Sequence, residues 1–334
     1  MIPWGLSRDD EEDSTYNVTQ LSGVVPPMIT PFGEDDRIDF PALAAEARFL
    51  KDSGVDGIVV GGSMGEGAGL SCAELEESIR TTIAAVDGSL PVLSGIIADN
   101  SEEAVRLAKA AKAAGACALQ IPPPHFLFAM ETRTLAAYYR AIAESSGLPL
   151  IIYNVVPWAQ LAVDAVEEMV NGNPAIVGVK QSGRNMNALA SLLATLRDRI
   201  RIFSAIDDMI YPSLMLGAHG TISGTSTVFP RETVRMVRAV RSGDYDTARD
   251  LHEQITPVWR AIDYPDFPSR AKYAIRLAGR PTGLPRKPFA WPVGESARSI
   301  EKALQQGGFL RAGISPQEGM APLCVASENS PQKV

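Results

Sequence analysis

The chain has 334 residues, of which 46% are hydrophobic, so it can bury a large core as one barrel-sized domain or two smaller ones. Its formal charge of −8 argues against nucleic acid or an anionic membrane as a partner. Cys72, Cys117 and Cys324 are an odd number without CxxC spacing, so they suggest neither a disulfide framework nor a zinc site.

The two ends of the chain are polar. Residues 1 to about 20 have no hydrophobic period, and residues 1–22 are predicted to form an arm outside the core. The opening M-I-P-W-G-L-S-R-D-D-E-E-D lacks the basic region and apolar core of a signal peptide, and no apolar run approaches membrane-spanning length. We therefore expect a soluble, cytoplasmic protein with a flexible tail at residues 312–334.

Between the ends, short apolar runs alternate with amphipathic helical patterns. Residues 23–30 (G-V-V-P-P-M-I-T) and 57–61 (G-I-V-V-G) are typical of buried strands, and residues 40–51 have the apolar spacing of a helix. Ser71 and Glu74 form an S-x-x-E capping box that opens the next helix. Further strands are predicted at residues 91–98, 118–121, 150–153, 176–180, 202–204 and 220–223. Further helices are predicted to begin near Asn100, Met130, Val163, Asn187 and Met209, and after Pro230.

Eight strand-then-helix units within roughly 200 to 250 residues predict an α/β fold, the (β/α)8 TIM barrel. An open doubly wound sheet fits less well, because no G-x-G-x-x-G opens the first turn. Residues 23–243 are assigned to the barrel and residues 244–311 to additional C-terminal helices. Active sites of such barrels lie at the carboxyl ends of the strands. The polar residues at these ends are Ser63, Glu66, His125, Tyr153, Lys180, Asp207, Asp208 and Ser223.

Lys180 ends the sixth predicted strand, in the apolar run A-I-V-G-V-K-Q-S. A buried lysine tends to lose its proton, and the neutral amine can then form a Schiff base with a ketone. Alternatively, its stem lies along the strand while its charged head reaches water. Tyr153 ends the neighbouring strand at the same height, where its phenol could move protons for such chemistry or merely satisfy a backbone group.

The glycine-rich loop after the second strand, G-S-M-G-E, offers backbone N–H groups and the hydroxyl of Ser63. Such a loop can bind a carboxylate, or its glycines can serve only the geometry of a tight turn. Glu66 is predicted to be structural, accepting hydrogen bonds from N–H groups of the loop.

Three of these segments together resemble a known family. The loop at residues 62–66, Y-N-V at residues 153–155 and G-V-K-Q-S at residues 178–182 closely resemble signatures of the dihydrodipicolinate synthase and N-acetylneuraminate lyase family of Schiff-base-forming barrel enzymes. The resemblance runs from about Gly23 to Arg311 and includes L-G-A-H-G-T-I-S at residues 216–223.

The resemblance implies roles for individual residues. Lys180 would condense with pyruvate or another 2-oxo acid, Tyr153 would be the general acid and base, and Ser63 would relay its proton. The backbone N–H groups of Ser63 and Met64 would hold the substrate carboxylate, and Ile222 would be a further substrate contact. No metal and no cofactor is implied, and the expected partners are small molecules and further copies of the chain, as a homotetramer or other homo-oligomer.

The chain departs from the family pattern at three places. Met64 stands where the family usually has threonine, His125 stands near the place of a tyrosine directed at a neighbouring subunit, and Trp158 or Ala159 stands where the synthase has an arginine. Loss of that arginine argues against dihydrodipicolinate synthesis, because an acidic aldehyde would lose its bidentate partner. The departures favour an aldehyde that is neutral, hydroxylated or partly apolar, unless Arg184 or Arg231 reaches the mouth of the barrel.

Asp207 and Asp208 are open to two interpretations. They resemble the acidic pair that sugar-acid lyases of the family use to bind substrate hydroxyls, and they also precede a predicted helix that an acid could cap. The sequence as a whole predicts a class I aldolase or lyase of a 2-oxo acid and an aldehyde. A dehydratase or deaminase using the same imine, and a barrel that binds a 2-oxo acid without catalysis, are the alternatives.

Overall fold

The computed structural model of the chain describes residues 16–124 and 128–311. Within these residues, eight parallel strands form one sheet in the order β1-β8-β7-β6-β5-β4-β3-β2. The strands are β1 (Gly23–Val24), β2 (Ile58–Val60), β3 (Val92–Gly95), β4 (Ala118–Ile121), β5 (Leu150–Asn154), β6 (Ile176–Gln181), β7 (Arg201–Ser204) and β8 (Gly220–Thr221).

The chain segment after β1 closes the barrel against β2. The Met28 N–H donates to the Val59 carbonyl over 2.9 Å, and the Val59 N–H donates to the Pro26 carbonyl over 3.0 Å. Strand β1 is shorter than the predicted 23–30 because Pro26 and Pro27 have no N–H to donate to a ladder. The predicted TIM barrel is confirmed.

Helices follow the strands in the predicted order. In the described part of the chain they are α1 (Phe40–Asp52), α2 (Cys72–Ala85), α3 (Ser101–Ala113), α4 (Thr132–Ser146), α5 (Val163–Gly172), α6 (Met186–Leu196), α7 (Ile210–Met215), α8 (Gly224–Val228), α9 (Pro230–Ser242), α10 (Tyr245–Ile262), α11 (Phe267–Leu277) and α12 (Glu295–Gln306). The capping box of Ser71 and Glu74 is present, and Asn100 caps α3 as predicted. Helix α8 was not predicted. None of the helices among the described residues is long and apolar enough to cross a membrane.

Residues near the amino terminus close one end of the barrel. Val18 and Leu21 are buried in the cluster inside the barrel, together with strand residues such as Phe203. Arg201, at the start of β7, donates to the carbonyl of Thr19 over 2.5 Å. The arm predicted for residues 1–22 is therefore corrected at Val18 and Leu21, which belong to the core; residues 1–15 and the tail predicted at 312–334 lie outside the described residues.

The C-terminal helices α10, α11 and α12 pack against the barrel. Every residue of α11 from Pro268 to Leu277 is buried. Arg280, just beyond α11, pairs with Glu46 of α1 and donates to the carbonyl of Val228 at the end of α8 over 2.9 Å. The helices predicted for residues 244–311 are thus present, and they share the core of the barrel.

Candidate active site

Lys180 and Tyr153 meet at the carboxyl ends of β6 and β5. They are direct partners in the register of these two strands, which confirms their predicted equal height. The Nζ atom of Lys180 lies 3.7 Å from the centre of the Tyr153 ring, and only 3% of the lysine is exposed. The alternative in which the lysine head extends into solvent is therefore wrong.

Burial sets the ionisation of both residues. Loss of solvent lowers the pKa of Lys180 to about 7, against an opposing effect of the negative charge of Asp207. Loss of solvent also raises the pKa of Tyr153 to about 12, and hydrogen bonding with Ser63 partly offsets this rise. Near pH 7 the site thus combines an amine that is substantially neutral with a phenol that keeps its proton.

The loop that carries Ser63 and Met64 is folded too tightly for side chains at its glycines. A Cβ atom on Gly67 would lie 1.7 Å from the carbonyl oxygen of Gly61, and one on Gly65 would lie 2.8 Å from a backbone oxygen. The backbone geometry of this turn therefore requires these glycines, which is one of the two interpretations of the sequence. The same turn places Ser63 and Met64 in the wall of the cavity that contains Lys180.

Glu66 is structural, but its partners differ from those predicted. Its carboxylate accepts hydrogen bonds from Lys272 Nζ over 2.5 Å and from the backbone N–H of Arg286 over 2.9 Å. Both donors belong to the C-terminal part of the chain. Glu66 itself has a left-handed backbone with φ of 55°, and its ion pair with Lys272 anchors this strained residue.

Asp207 and Asp208 line the same cavity as Lys180. Asp207 accepts a hydrogen bond from the backbone N–H of Thr225 over 2.6 Å, whereas α7, the helix that the acids precede, has no side-chain cap. Capping of that helix is therefore not the role of Asp207. Burial raises the pKa of Asp207 to about 7, with the Thr225 hydrogen bond opposing it. Asp208 makes no hydrogen bond through its side chain to any described residue.

These residues surround a cavity of about 510 Å³. The predicted residues in its wall are Ser63, Met64, Tyr153, Lys180, Asp207, Asp208, Ile222 and Ser223. Sequence reasoning missed a second set, which comes mainly from the C-terminal extension: Gln160, Trp259, Asp263, Tyr264 and Phe267. Gly224 packs against this part of the wall, since a Cβ atom there would lie 2.6 Å from the ring of Trp259. A glycine at this position is the sequence feature that could have indicated the contact.

The two arginines considered for the mouth of the barrel differ. Arg184 lines the cavity and forms an ion pair with Asp263. Arg231 is on α9 and stacks on Phe49 at 5.1 Å, away from the cavity lining.

Of the departures from the family pattern, Met64 lies in the wall of this cavity, whereas Trp158 and Ala159 lie elsewhere. Trp158 is 54% exposed and lines a neighbouring cavity with Ala159; among the described residues, neither lines the cavity of Lys180. His125 lies outside the described residues. Over residues 16–124 and 128–311, no three His, Cys, Asp or Glu side chains are grouped so that they could hold a metal ion.

Comparisons with known proteins show the family of the chain. The model of the dihydrodipicolinate synthetase family matches residues 20–307. A 4-hydroxy-tetrahydrodipicolinate synthase of Methanospirillum hungatei is 32% identical over 291 residues, which cover 86% of this chain and 98% of the relative. One of Ralstonia nicotianae is 33% identical over 296 residues, covering 88% of this chain and all of the relative.

Solved structures extend the comparison. A dihydrodipicolinate synthase crystal structure matches with a TM-score of 0.81 and 30% identity over 87% of this chain and all of that one. YagE, a prophage protein of E. coli from the same family, was crystallised in complex with pyruvate; it matches with a TM-score of 0.81 and 28% identity over 86% of this chain and 99% of YagE. The family match covers most of the sequence and the whole barrel. The chain therefore belongs to the dihydrodipicolinate synthetase family and is a lyase of the class I aldolase type.

Proposed function

We propose that the protein forms a Schiff base between Lys180 and a 2-oxo acid such as pyruvate, and makes or breaks a carbon–carbon bond with an aldehyde partner. The observation that carries the proposal is the buried amine of Lys180, held 3.7 Å over the ring of Tyr153 with its pKa lowered to about 7. An amine in that state is a nucleophile at neutral pH.

Each proposed step has a group to perform it. The amine adds to the keto carbon, and the carbinolamine loses water to give the imine, with Tyr153 supplying and removing protons through Ser63. Loss of a proton from the neighbouring carbon gives an enamine, which attacks the aldehyde carbon; water then hydrolyses the imine and frees Lys180. The backbone N–H groups of Ser63 and Met64 would bind the carboxylate of the 2-oxo acid. The pyruvate complex of the relative YagE supports this choice of donor.

The cavity wall supports an aldehyde without a negative charge. Asp208 and Asp263 lie in the wall together with Asp207, while Arg184 is already paired with Asp263. Carboxylates accept hydrogen bonds from hydroxyl groups and repel a second carboxylate. We therefore propose a neutral, hydroxylated aldehyde as the partner, in contrast to the synthase function named for the relatives.

Borohydride reduction in the presence of pyruvate tests the proposal. One reduced pyruvate should be added to the peptide that contains Lys180, and Lys180→Ala should abolish the addition. Lys287→Ala is a matched control, because the side chain of Lys287 is 75% exposed and does not line this cavity. Labelling that persists in Lys180→Ala would disprove the assignment.

A screen of 2-oxo acids then separates the reactions that share this imine. Release of pyruvate and an aldehyde from a longer 2-oxo acid supports the lyase. Release of water or ammonia without carbon–carbon cleavage would instead identify a dehydratase or deaminase. The family resemblance also supports a cytoplasmic homo-oligomer, which light scattering on the purified protein and fractionation of cells would test.

A further inference from the structure

We infer that Asp263 determines the charge preference of the site by holding Arg184, and that Arg184 would bind a second carboxylate of the substrate once Asp263 is neutralised. This inference rests on the proposed function and concerns the part of the cavity wall that these two residues form. Arg184 and Asp263 both line the cavity and form an ion pair, which joins the loop after β6 to the end of α10.

The backbone on both sides of the ion pair contacts other residues of the cavity wall. Gly183 and Arg184 have φ angles of 81° and 57°, and a Cβ atom on Gly183 would lie 1.6 Å from the side-chain amide of Gln160. The loop that carries Arg184 therefore packs against Gln160 in a left-handed turn. On the other side, the N–H of Asp263 donates to the carbonyl of Trp259 over 2.9 Å, which ties Asp263 to another residue of the cavity wall.

The ion pair itself is only partly shielded. The side chain of Arg184 is 72% exposed and that of Asp263 is 31% exposed. Ion pairs that solvent reaches contribute little to stability, so the pair can be broken without unfolding the protein. Arg184 would then keep its backbone position beside the cavity while its guanidinium lost its main partner.

Charge balance explains why the pair matters for specificity. While Asp263 holds Arg184, the guanidinium charge is balanced, and Asp208 adds a further carboxylate to the cavity wall. Removing the Asp263 charge leaves Arg184 with planar donors suited to a carboxylate. Asp208 also acts electrostatically on Arg184 and would compete for it. Asp263→Asn should therefore change the preference for charge, and because Asp263 also raises the pKa of Asp207, this preference is measured as a ratio between two substrates at one pH.

Two 2-oxo acids of equal length test this without requiring an aldehyde. 2-Oxohexanoate ends in a methyl group and 2-oxoadipate ends in a carboxylate, so they mimic longer 2-oxo acids that differ in distal charge. The measurement is the concentration of each that half-saturates borohydride trapping on Lys180. We expect the wild-type protein to favour 2-oxohexanoate, and Asp263→Asn to shift the ratio towards 2-oxoadipate by about two- to five-fold, the effect of one ion pair that solvent reaches.

Two controls make the result specific. The double variant Asp263→Asn/Arg184→Met should lose the shift, and Asp250→Asn, which removes an exposed acid on the same helix, should leave the ratio as in wild type. An unchanged ratio in Asp263→Asn, or an equal shift in the double variant, would overturn the inference. Trapping of pyruvate in each variant keeps the two proposals apart: if pyruvate is trapped and the ratio does not move, only this inference fails, whereas absence of trapping in wild type defeats the Schiff base itself.

Discussion

Glu66 and Lys272 form an ion pair that is almost completely buried next to the loop of Ser63. Lys272 is 0% exposed, and its Nζ donates to Glu66 over 2.5 Å and to the carbonyls of Thr30 and Leu284 over 2.6 and 2.8 Å. All three hydrogens of the ammonium group are therefore used. The pair joins the glycine-rich loop to α11, so the position of Ser63 depends on a helix outside the barrel.

Replacing Lys272 with methionine should destabilise the protein strongly. The substitution leaves the Glu66 carboxylate buried without its cation, which costs about 3–5 kcal/mol. Urea unfolding measures this loss, and the double variant Glu66→Gln/Lys272→Met should recover much of it. Any folded Lys272→Met should also show a raised KM for pyruvate, since the loop proposed to bind the carboxylate has lost its anchor. A loss below about 1 kcal/mol would contradict this account.

The activity should rise with pH as Lys180 loses its proton. The pKa of Lys180 is lowered to about 7 by burial, so kcat/KM for the 2-oxo acid should fall as the pH decreases below about 7. The charge of Asp207 raises the pKa of Lys180, so Asp207→Asn should move the acidic limb of the profile to lower pH. Because Asp207 itself titrates near 7, the observed value belongs to the pair. A limb that moves to higher pH in Asp207→Asn would refute the prediction.

The lowered pKa of Lys180 also makes the free energy of unfolding depend on pH. Between about 7 and the ordinary lysine value of 10.5, the unfolded chain binds a proton at Lys180 that the folded protein does not. The free energy of unfolding of the wild type, relative to Lys180→Met, should therefore increase as pH rises from about 7 to 10.5. Paired urea titrations across this range provide the measurement, and a flat difference would mean that the pKa of Lys180 is unperturbed.

Tyr153→Phe should reduce kcat by about a hundred-fold or more, because loss of a general acid and base typically costs 10²–10⁴. The variant keeps the ring beside Lys180, so thermal unfolding should change little. Tyr138→Phe is a matched control: this buried phenol lies on α4, and its hydroxyl has no hydrogen-bond partner among residues 16–124 and 128–311. Equal kcat values for wild type and Tyr153→Phe would remove the phenol from the mechanism.

Removal of metal ions should leave turnover intact, because the proposed imine would itself serve as the electron sink. Dialysis against a strong chelator, followed by a kinetic assay, tests this expectation. Turnover that disappears and returns with a divalent ion would contradict a class I mechanism.

The local pattern of apolar and polar residues was sufficient to predict much of the fold. Strands that are buried on both faces appear in the sequence as short apolar runs. The order of these runs predicted that Tyr153 lies beside Lys180, and the register of β5 and β6 confirms this. Helix α8 escaped prediction because its five residues, G-T-S-T-V, are too short for a helical period and rich in β-branched residues.

Contacts between residues that are far apart in the sequence could not be predicted from local sequence patterns. Glu66 is 206 residues from Lys272, so its partner could not be recognised from the loop alone. The cavity wall formed by Trp259 and Asp263 depends on how α10 packs over the barrel, which no local motif encodes. Val18 and Leu21 were assigned to a polar arm because two apolar residues in a short turn produce no period.

The link between Glu66 and Lys272 has a consequence for synthesis on the ribosome. The nascent chain contains the loop of Ser63 long before it contains α11, and at about 5–20 residues per second the 206 intervening residues take about 10–40 s to translate. During that interval Glu66 lacks its partner Lys272, and Trp259 joins the wall of the cavity only towards its end. A chain that terminates before α11 should therefore bind a 2-oxo acid more weakly than the full chain, because its glycine-rich loop has no anchor even where the barrel strands have formed.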